Sequence, residues 1–552
     1  MNAPIPRNLL SRFPLTGYLL LTIASLEVNL LYPHFLTGYH NTLPFLVIIS
    51  TSLVTLLLSI PAIFMDTAGR RWWFGVWIVL TVILAEIEIY SLTQFHQKYG
   101  PQLAMIVLTT RGLWMSWIRA CISLALVWKM LLGLVAVLAV SALSAYTVKR
   151  YVPRKVTLVM AAVAAGLGLL WSVVPLPSAQ EIAASEATVW ARLLTAYPKA
   201  LPAKKVIRRL VEINARELAS GSAEQTFADC PDIVLVIGES HAAHHTSAYG
   251  YERPTTPCLD ERLRREPERT VLFTDVASAW DCTYDAMRSV FTIGGSRKFG
   301  EAPLFPTVFR TAGFRTECID NQIVDEYDLG FDFMNDAELQ QILYDRPAHV
   351  MPAGTLDGSV LDSVPNFFRG ASLTVLHLYG AHVPYRYRYP NEPKYEVFTP
   401  DDSGYNADMA TYDNAIRYTD MVVDSLITML ADGNVCVVYF SDHGQVMFAE
   451  GNQYLHGNAL LLRHWEYVLQ VPMFVWCSER YAQCHPDVVE ALKANADKPV
   501  TTDNISQTLF SLAGLRTHRL DSAQSLASPT FVPPVPRIVL DRYDYITHRR
   551  VR

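Results

Sequence analysis

The sequence predicts two parts: an N-terminal transmembrane domain of five helices, and a C-terminal α/β sandwich on a mostly parallel sheet. Three observations predict this. Hydrophobic residues make up 51% of the 552-residue chain, high for a wholly water-exposed protein. They concentrate in the first third, in runs that reach the ~20 residues of helix a bilayer core requires. From Asp232 onward, short β-prone runs alternate with helical stretches, the pattern of a sheet with helices packed on its faces.

The spans read as Leu15–Leu36, Leu43–Met65, Trp72–Tyr90, Ile122–Tyr146 and Val156–Val174. Glu27, Glu86, Glu88 and Lys129 interrupt them, and charge at that depth is costly unless it faces protein or the interface. No small-residue cleavage site follows the first run, so it reads as a span and not as a removable signal. Arg7 and Arg12 precede the first span, Arg70 and Arg71 follow the second, and Lys149, Arg150, Arg154 and Lys155 follow the fourth. Positive loops stay in the cytoplasm, so five spans carry everything after Val174 across the membrane. The expected divisions are 1–177 for the membrane domain, 178–229 for a linker with interfacial helices, and 230–552 for the exported domain.

With 46 basic against 52 acidic residues, the chain has no polyelectrolyte signature for nucleic acid. Seven of the eight cysteines fall in the exported part, where disulfides persist. Cys477 and Cys484 are close enough to close a local loop; the alternative is that several cysteines are small buried apolar residues.

Within the exported part the strand candidates are Ile233–Ile237, Val271–Val276, Arg315–Ile319, Leu373–Leu378, Val435–Phe440, Val471–Trp476 and Ile538–Leu540. Phe305–Ala312, Tyr412–Leu430 and Asp503–Ala513 read as helices. Ligands of open α/β sheets collect at the carboxyl ends of the strands. The first strand ends in Glu239 and Ser240, another runs into HLYGAH with His377 and His382, and a third ends in SDHG with Asp442 and His443. Carboxylate and imidazole are zinc donors, and a catalytic zinc keeps one position for the reacting group. A lone strand-end Asp-His pair is more often a helix cap beside a hydrogen-bonded imidazole, but three strands deliver such residues to one edge. Thr283, in SAWDCTYDAMRS (Ser278–Ser289), is by the common reading a helix N-cap. In a metal shell it would instead be an ionised nucleophile.

VLVIGES (Val234–Ser240), YGYERPTTP (Tyr249–Pro257), HLYGAHVPYRYRYP (His377–Pro390), YDNAIRYTD (Tyr412–Asp420) and VVYFSDHG (Val437–Gly444) follow one another in the chain. In these blocks and their order, the exported part resembles the membrane-anchored phosphoethanolamine transferases of Gram-negative envelopes, members of the alkaline phosphatase and sulfatase superfamily. The resemblance implies an inner-membrane enzyme with a cytoplasmic N-terminus and a periplasmic catalytic domain. It implies at least one zinc ion, with a second possible, held by Glu239, Thr283, Asp442 and His443. Thr283 would take phosphoethanolamine from phosphatidylethanolamine and pass it to lipopolysaccharide, at a core heptose or a lipid A phosphate. The HLYGAHVPYRYRYP block is closest to the core-modifying branch. His382 and His456 would handle the phosphate oxygens and protons, with His464 the alternative to His456. Asn321, Gln322, His377 and Ser240 are weaker candidates for contacts to donor or acceptor, His377 with packing as its simpler role and Ser240 as a helix-start or supporting residue.

One departure stands out. After Glu239-Ser240 the family commonly carries arginine, whereas this chain reads HAAHH, with His241, His244 and His245. These histidines form either a second zinc site or a solvated first helical turn. Three rival activities remain: sulfate-ester hydrolysis, transfer of phosphoglycerol or phosphoethanolamine to a periplasmic glucan, and an inactive scaffold or transporter using Glu27, Glu86 and Glu88. Sulfatases need a C-x-P-x-R-like site, and Cys282-Thr-Tyr-Asp-Ala286 has neither the proline nor the arginine.

Overall fold

The computed structural model describes residues 14–27, 29, 44–95, 189–322, 333–351, 355–363, 370–400, 407–447 and 465–551, with isolated positions between 139 and 163. The chain divides into two compact units, Met1–Lys204 and Lys205–Arg552.

In the first unit, helices α1 (Leu15–Leu26), α2 (Pro44–Ser59) and α3 (Thr67–Phe95) fall on the first three expected spans. Spans four and five lie almost wholly outside the described residues. Among the described residues no helix is long and apolar enough to cross a membrane. Leu21 and Ala24 of α1, Phe74, Ile78 and Val82 of α3, and Ala62 in the turn after α2 still share a core, with Leu58 of α2 packed against it. Thr22 and Thr55 join hydroxyls at 2.8 Å, and the Trp73 indole donates to the Leu58 carbonyl at 2.8 Å. Glu27 is buried.

The second unit is built on seven strands: β1 (Asp232–Gly238), β2 (Thr270–Leu272), β3 (Arg315–Asp320), β4 (His349–Val350), β5 (Ser372–His377), β6 (Val435–Ser441) and β7 (Met473–Cys477). Their order is β2-β7-β6-β1-β5-β3-β4. The pairings from β6 to β4 are parallel, whereas β7 is antiparallel to both β6 and β2. The sheet is therefore mixed, with its parallel part carrying the strand ends singled out above. Strand direction is invisible in a sequence here, because a strand covered on both faces is apolar whichever way it runs.

Every residue of β1 is buried. Val234 and Val236 enter one core with Leu259 of helix α4 (Pro257–Arg265) and with Val423, Leu426, Ile427 and Leu430 of helix α6 (Ala407–Leu430); Ile233, Leu235 and Ile237 enter the other with Met287, Val290 and Phe291 of helix α5 (Thr283–Phe291). Two-sided burial is why the run is continuous and not alternating. At about 1.5–3 kcal/mol for each buried aliphatic side chain, it pins the strand in register. Two expectations fail at the sheet margins. Val271–Val276 breaks after Leu272, leaving a two-residue strand at Val276–Ala277 that pairs with Val500–Thr501. Ile538–Leu540 stays out of the main sheet, and Ile538–Val539 pairs with Tyr543–Asp544. The loop read from spacing at Cys477 and Cys484 does not form either, since Cys477 lies opposite Cys436 and Cys484 is exposed.

The turn after β5 brings Gly380, with φ +50°, against the backbone of Glu239; a Cβ there would sit 2.7 Å from the Glu239 nitrogen. Gly370, with φ +80°, has nothing within 4 Å of that position. Gly380→Ala is therefore expected to lower stability by more than Gly370→Ala, which carries only the backbone cost of roughly 1 kcal/mol. Thermal unfolding of the two variants checks this, and equal losses would refute a packed turn at Gly380.

Candidate active site

Parallel register sets the ends of β1, β5 and β6 level, with Gly238 beside Ser441 and Ile237 beside His377. The ladder runs one step further: the Asp442 N–H donates to Gly238 and the Leu378 N–H to Ile237. Glu239, Asp442 and His443 thus emerge together. All three are buried, and their donor atoms lie within 4.8 Å of one another. His443 Nε2 is 3.4 Å from Glu239 Oε1 and 3.3 Å from Asp442 Oδ2. Thr283 opens α5, but Cys282 holds the N-cap position. The Thr283 hydroxyl donates to Glu239 Oε2 at 2.9 Å and lies 3.3 Å from His443 Nε2.

These separations suit a metal ion. A tetrahedral centre with bonds of 2.0–2.2 Å holds its donors about 3.3–3.6 Å apart. Asp442 Oδ2 is buried and accepts no hydrogen bond among the described residues, a costly state for a carboxylate oxygen that a cation would relieve. His443 Nδ1 lies 2.8 Å from the Gly444 carbonyl, which accepts its proton and aims Nε2 at the carboxylates. Burial and the adjacent Glu239 charge push the Asp442 carboxyl up. Burial also opposes ionisation of Glu239, but His443, His382 and the Ser240 hydroxyl hold it below the usual carboxylate range. Burial likewise disfavours charge on His443, yet Asp442 and Glu239 raise its pKa. The cluster calls for positive charge.

A supporting layer holds these donors in place. Ser240 stands at φ +55°, a conformation that costs a non-glycine residue about 1–3 kcal/mol. Its hydroxyl donates to Glu239 Oε1 at 2.6 Å, its N–H to Asp442 Oδ1 at 3.0 Å, and its carbonyl accepts from the Tyr412 hydroxyl at 2.5 Å. The Gln322 amide donates to Glu239 Oε2 and to the Leu378 carbonyl, both at 2.8 Å. The Asn321 amide goes instead to Asp357 Oδ1 at 2.7 Å, and Asp357 accepts from the Tyr379 and Gly380 N–H groups. Asn321 thereby shapes the turn that Gly380 occupies. His377 is buried with Nδ1 3.0 Å from Asp320 Oδ2; against the effect of burial, Asp320 lifts its pKa to about 9. His382 is half-buried, with Nδ1 2.6 Å from the Val383 carbonyl, and burial lowers its pKa against the pull of Glu239. His456 and His464 lie outside the described residues.

The HAAHH histidines do not converge. His241 is buried between the Tyr439 and Thr246 hydroxyls, each at 2.9 Å. His245 is buried against Asp413 at 2.8 Å, and His244 lies against the Tyr467 ring. Among the described residues, the metal-spaced group is Glu239, Asp442 and His443, so these histidines form no second site, and His241 and His245 are not solvated either. Asp413 also accepts from Tyr251 and Arg253, while Asp420 accepts from the Cys258 and Leu259 N–H groups. Sequence reasoning missed these two clamps, although Tyr251, Arg253, Asp413 and Asp420 sat in quoted blocks and Cys258 and Leu259 directly follow one.

A helix-covered α/β sheet with buried metal-type donors at the ends of its parallel strands defines an alkaline-phosphatase-like domain. Residues 231–515 match the family model described as Sulfatase, and the chain belongs to that family. It is 28% identical over 361 residues to phosphoethanolamine transferase EptC of Escherichia coli (strain K12), covering 62% of this chain and 61% of that one. To Kdo(2)-lipid A phosphoethanolamine 7''-transferase of Salmonella typhimurium it is 28% identical over 287 residues, 48% of each chain. The chain thus spans about three-fifths or less of these relatives' length. In fold it is similar to the integral membrane protein lipooligosaccharide phosphoethanolamine transferase A of Neisseria meningitidis, with TM-score 0.58 and 19% identity, over 96% of this chain and 99% of that one.

Supporting partners of metal ligands typically govern affinity by 10–100-fold. Gln322→Leu keeps the side-chain volume but removes the amide from Glu239, so zinc affinity should fall roughly 10–100-fold with circular dichroism unchanged. Titration against a chromophoric chelator checks this; unchanged affinity would show that Gln322 does not orient the ligand.

Proposed function

We propose that this chain is an inner-membrane phosphoethanolamine transferase, with its N-terminus cytoplasmic and Lys205–Arg552 periplasmic. It would take phosphoethanolamine from phosphatidylethanolamine and deliver it to lipopolysaccharide, at a core heptose or a lipid A phosphate. The observation that carries this reading is the Thr283 hydroxyl, 2.9 Å from Glu239 Oε2 and 3.3 Å from His443 Nε2 in a metal-spaced cluster. The names of the relatives support the transferred group, and Cys282–Ala286 lacks the sulfatase nucleophile pattern.

Glu239, Asp442, His443 and Thr283 would hold zinc, which when bound lowers the pKa of the threonine hydroxyl. Thr283 Oγ1 attacks the donor phosphorus, the bond to the diacylglycerol oxygen breaks, and phosphoethanolamine becomes esterified to Thr283. The N-terminal end of α5 lies beside that side chain and favours the anionic group. His382, with Nδ1 committed to Val383, offers Nε2 to protonate the leaving oxygen. His456, with His464 as the alternative, completes the set. An acceptor hydroxyl or phosphate then attacks the same phosphorus and restores Thr283. Charge stabilisation and positioning dominate such transfers.

Incubation of the full chain with phosphatidylethanolamine should give a phosphoethanolamine adduct by intact mass, absent from Thr283→Ala, with turnover in that variant down by at least about 10³-fold. Metal analysis should find zinc. A protein with neither zinc nor a Thr283-dependent adduct would end the proposal. Mass spectra of lipid A and core oligosaccharide from cells with and without the protein assign the acceptor; no difference in either points to a glucan.

A further inference from the structure

Cys436 on β6 and Cys477 on β7 are register partners in the middle of the fold, 0% and 1% exposed, with their sulfur atoms 3.1 Å apart. The ladder defines their geometry. The Ser478 N–H donates to the Val435 carbonyl at 2.9 Å and the Ser441 N–H to the Pro472 carbonyl at 3.2 Å, so odd-numbered residues of β6 occupy hydrogen-bonded positions. Cys436 therefore sits at a non-hydrogen-bonded one, where facing side chains approach most closely and the Cα atoms lie about 4.5 Å apart. That spacing falls inside the range disulfides span, and closing the bond to its usual length asks the sulfurs to approach by about 1 Å. Elsewhere the thiols are occupied or apart: Cys230 faces Gln225 and Cys282 faces Asp285.

We propose that Cys436 and Cys477 form a structural disulfide in the exported domain. Each thiol gives up one proton and one electron, and a disulfide-donating oxidant of the compartment is reduced to two thiols as the new bond forms. The inference rests on the periplasmic placement given under Proposed function. The bond closes a 41-residue separation that contains Asp442, His443 and both His456 and His464. It lies at the end of β6 opposite the metal-type donors, so it secures the strand that delivers them and takes no part in the chemistry.

The test uses full-length protein taken directly from cells, alkylated in denaturant without reductant and mapped by peptide mass. A joined Cys436–Cys477 peptide is expected, with the Tm of purified protein falling roughly 5–10 °C on reduction and no such fall in Cys436→Val/Cys477→Val. Alkylation of both thiols, or a Cys477–Cys484 peptide, overturns the pairing. A membrane-impermeant maleimide on spheroplasts separates the two readings through exposed Cys484. If Cys484 reacts from outside while Cys436 and Cys477 are free thiols, the pairing alone is wrong. If Cys484 is shielded until lysis and the pair is reduced, the periplasmic placement fails and takes the disulfide with it.

Discussion

Two carboxylates held beside one imidazole in a dry sheet edge are the constraint on which this domain turns. Glu239 and Asp442 are both 0% exposed, and like charges at such a site resist joint ionisation. Protonation of Asp442 or a cation would relieve the repulsion. The geometry favours the cation, because Asp442 Oδ2 lies 3.3 Å from His443 Nε2 and accepts no hydrogen bond among the described residues. Much of the surrounding structure follows. A left-handed Ser240, a glycine against the Glu239 backbone, and the Gln322 and Tyr412 side chains all act to keep the donors from relaxing apart.

Rigid elements, more than loops, carry this geometry. Glu239 follows a strand buried on both faces, Asp442 and His443 follow its parallel neighbour, and Thr283 is the first residue of a helix packed on that sheet. Such placement gives the precision that the proposed nucleophile and metal donors would need. It also explains why Thr283 is not the cap that its position suggested. With Cys282 at the N-cap, the threonine hydroxyl is released from the backbone and turned toward Glu239.

The parts legible in the sequence were those with a local signature. β1, β5 and β6 read as apolar runs, and their polar endings named Glu239, Asp442 and His443 without any knowledge of register. The opposite direction of β7 was not legible, nor was the two-residue β4, because neither leaves a pattern in side-chain polarity. Gln322 was read as a contact to donor or acceptor; the amide's reach to a metal-type ligand across the sheet was not legible, being a relation created only by the order β1-β5-β3. The HAAHH histidines misled for the converse reason. Adjacent in sequence, they turn to Tyr439, Tyr467 and Asp413 on separate elements.

The blocks that carry the family resemblance divide between chemistry and architecture. VVYFSDHG supplies donors, whereas YGYERPTTP and YDNAIRYTD bind each other: Tyr251 and Arg253 meet Asp413. Asp420 caps the helix that starts at Pro257, through the Cys258 and Leu259 N–H groups. A clamp of this kind ties α6 to the segment after β1 and preserves the sheet edge whatever chemistry that edge serves. Sharing those two blocks with a relative therefore argues for a common scaffold and says nothing about a common acceptor. Under the proposed transfer, acceptor choice would have to be sought in residues free of both the clamp and the metal-type shell.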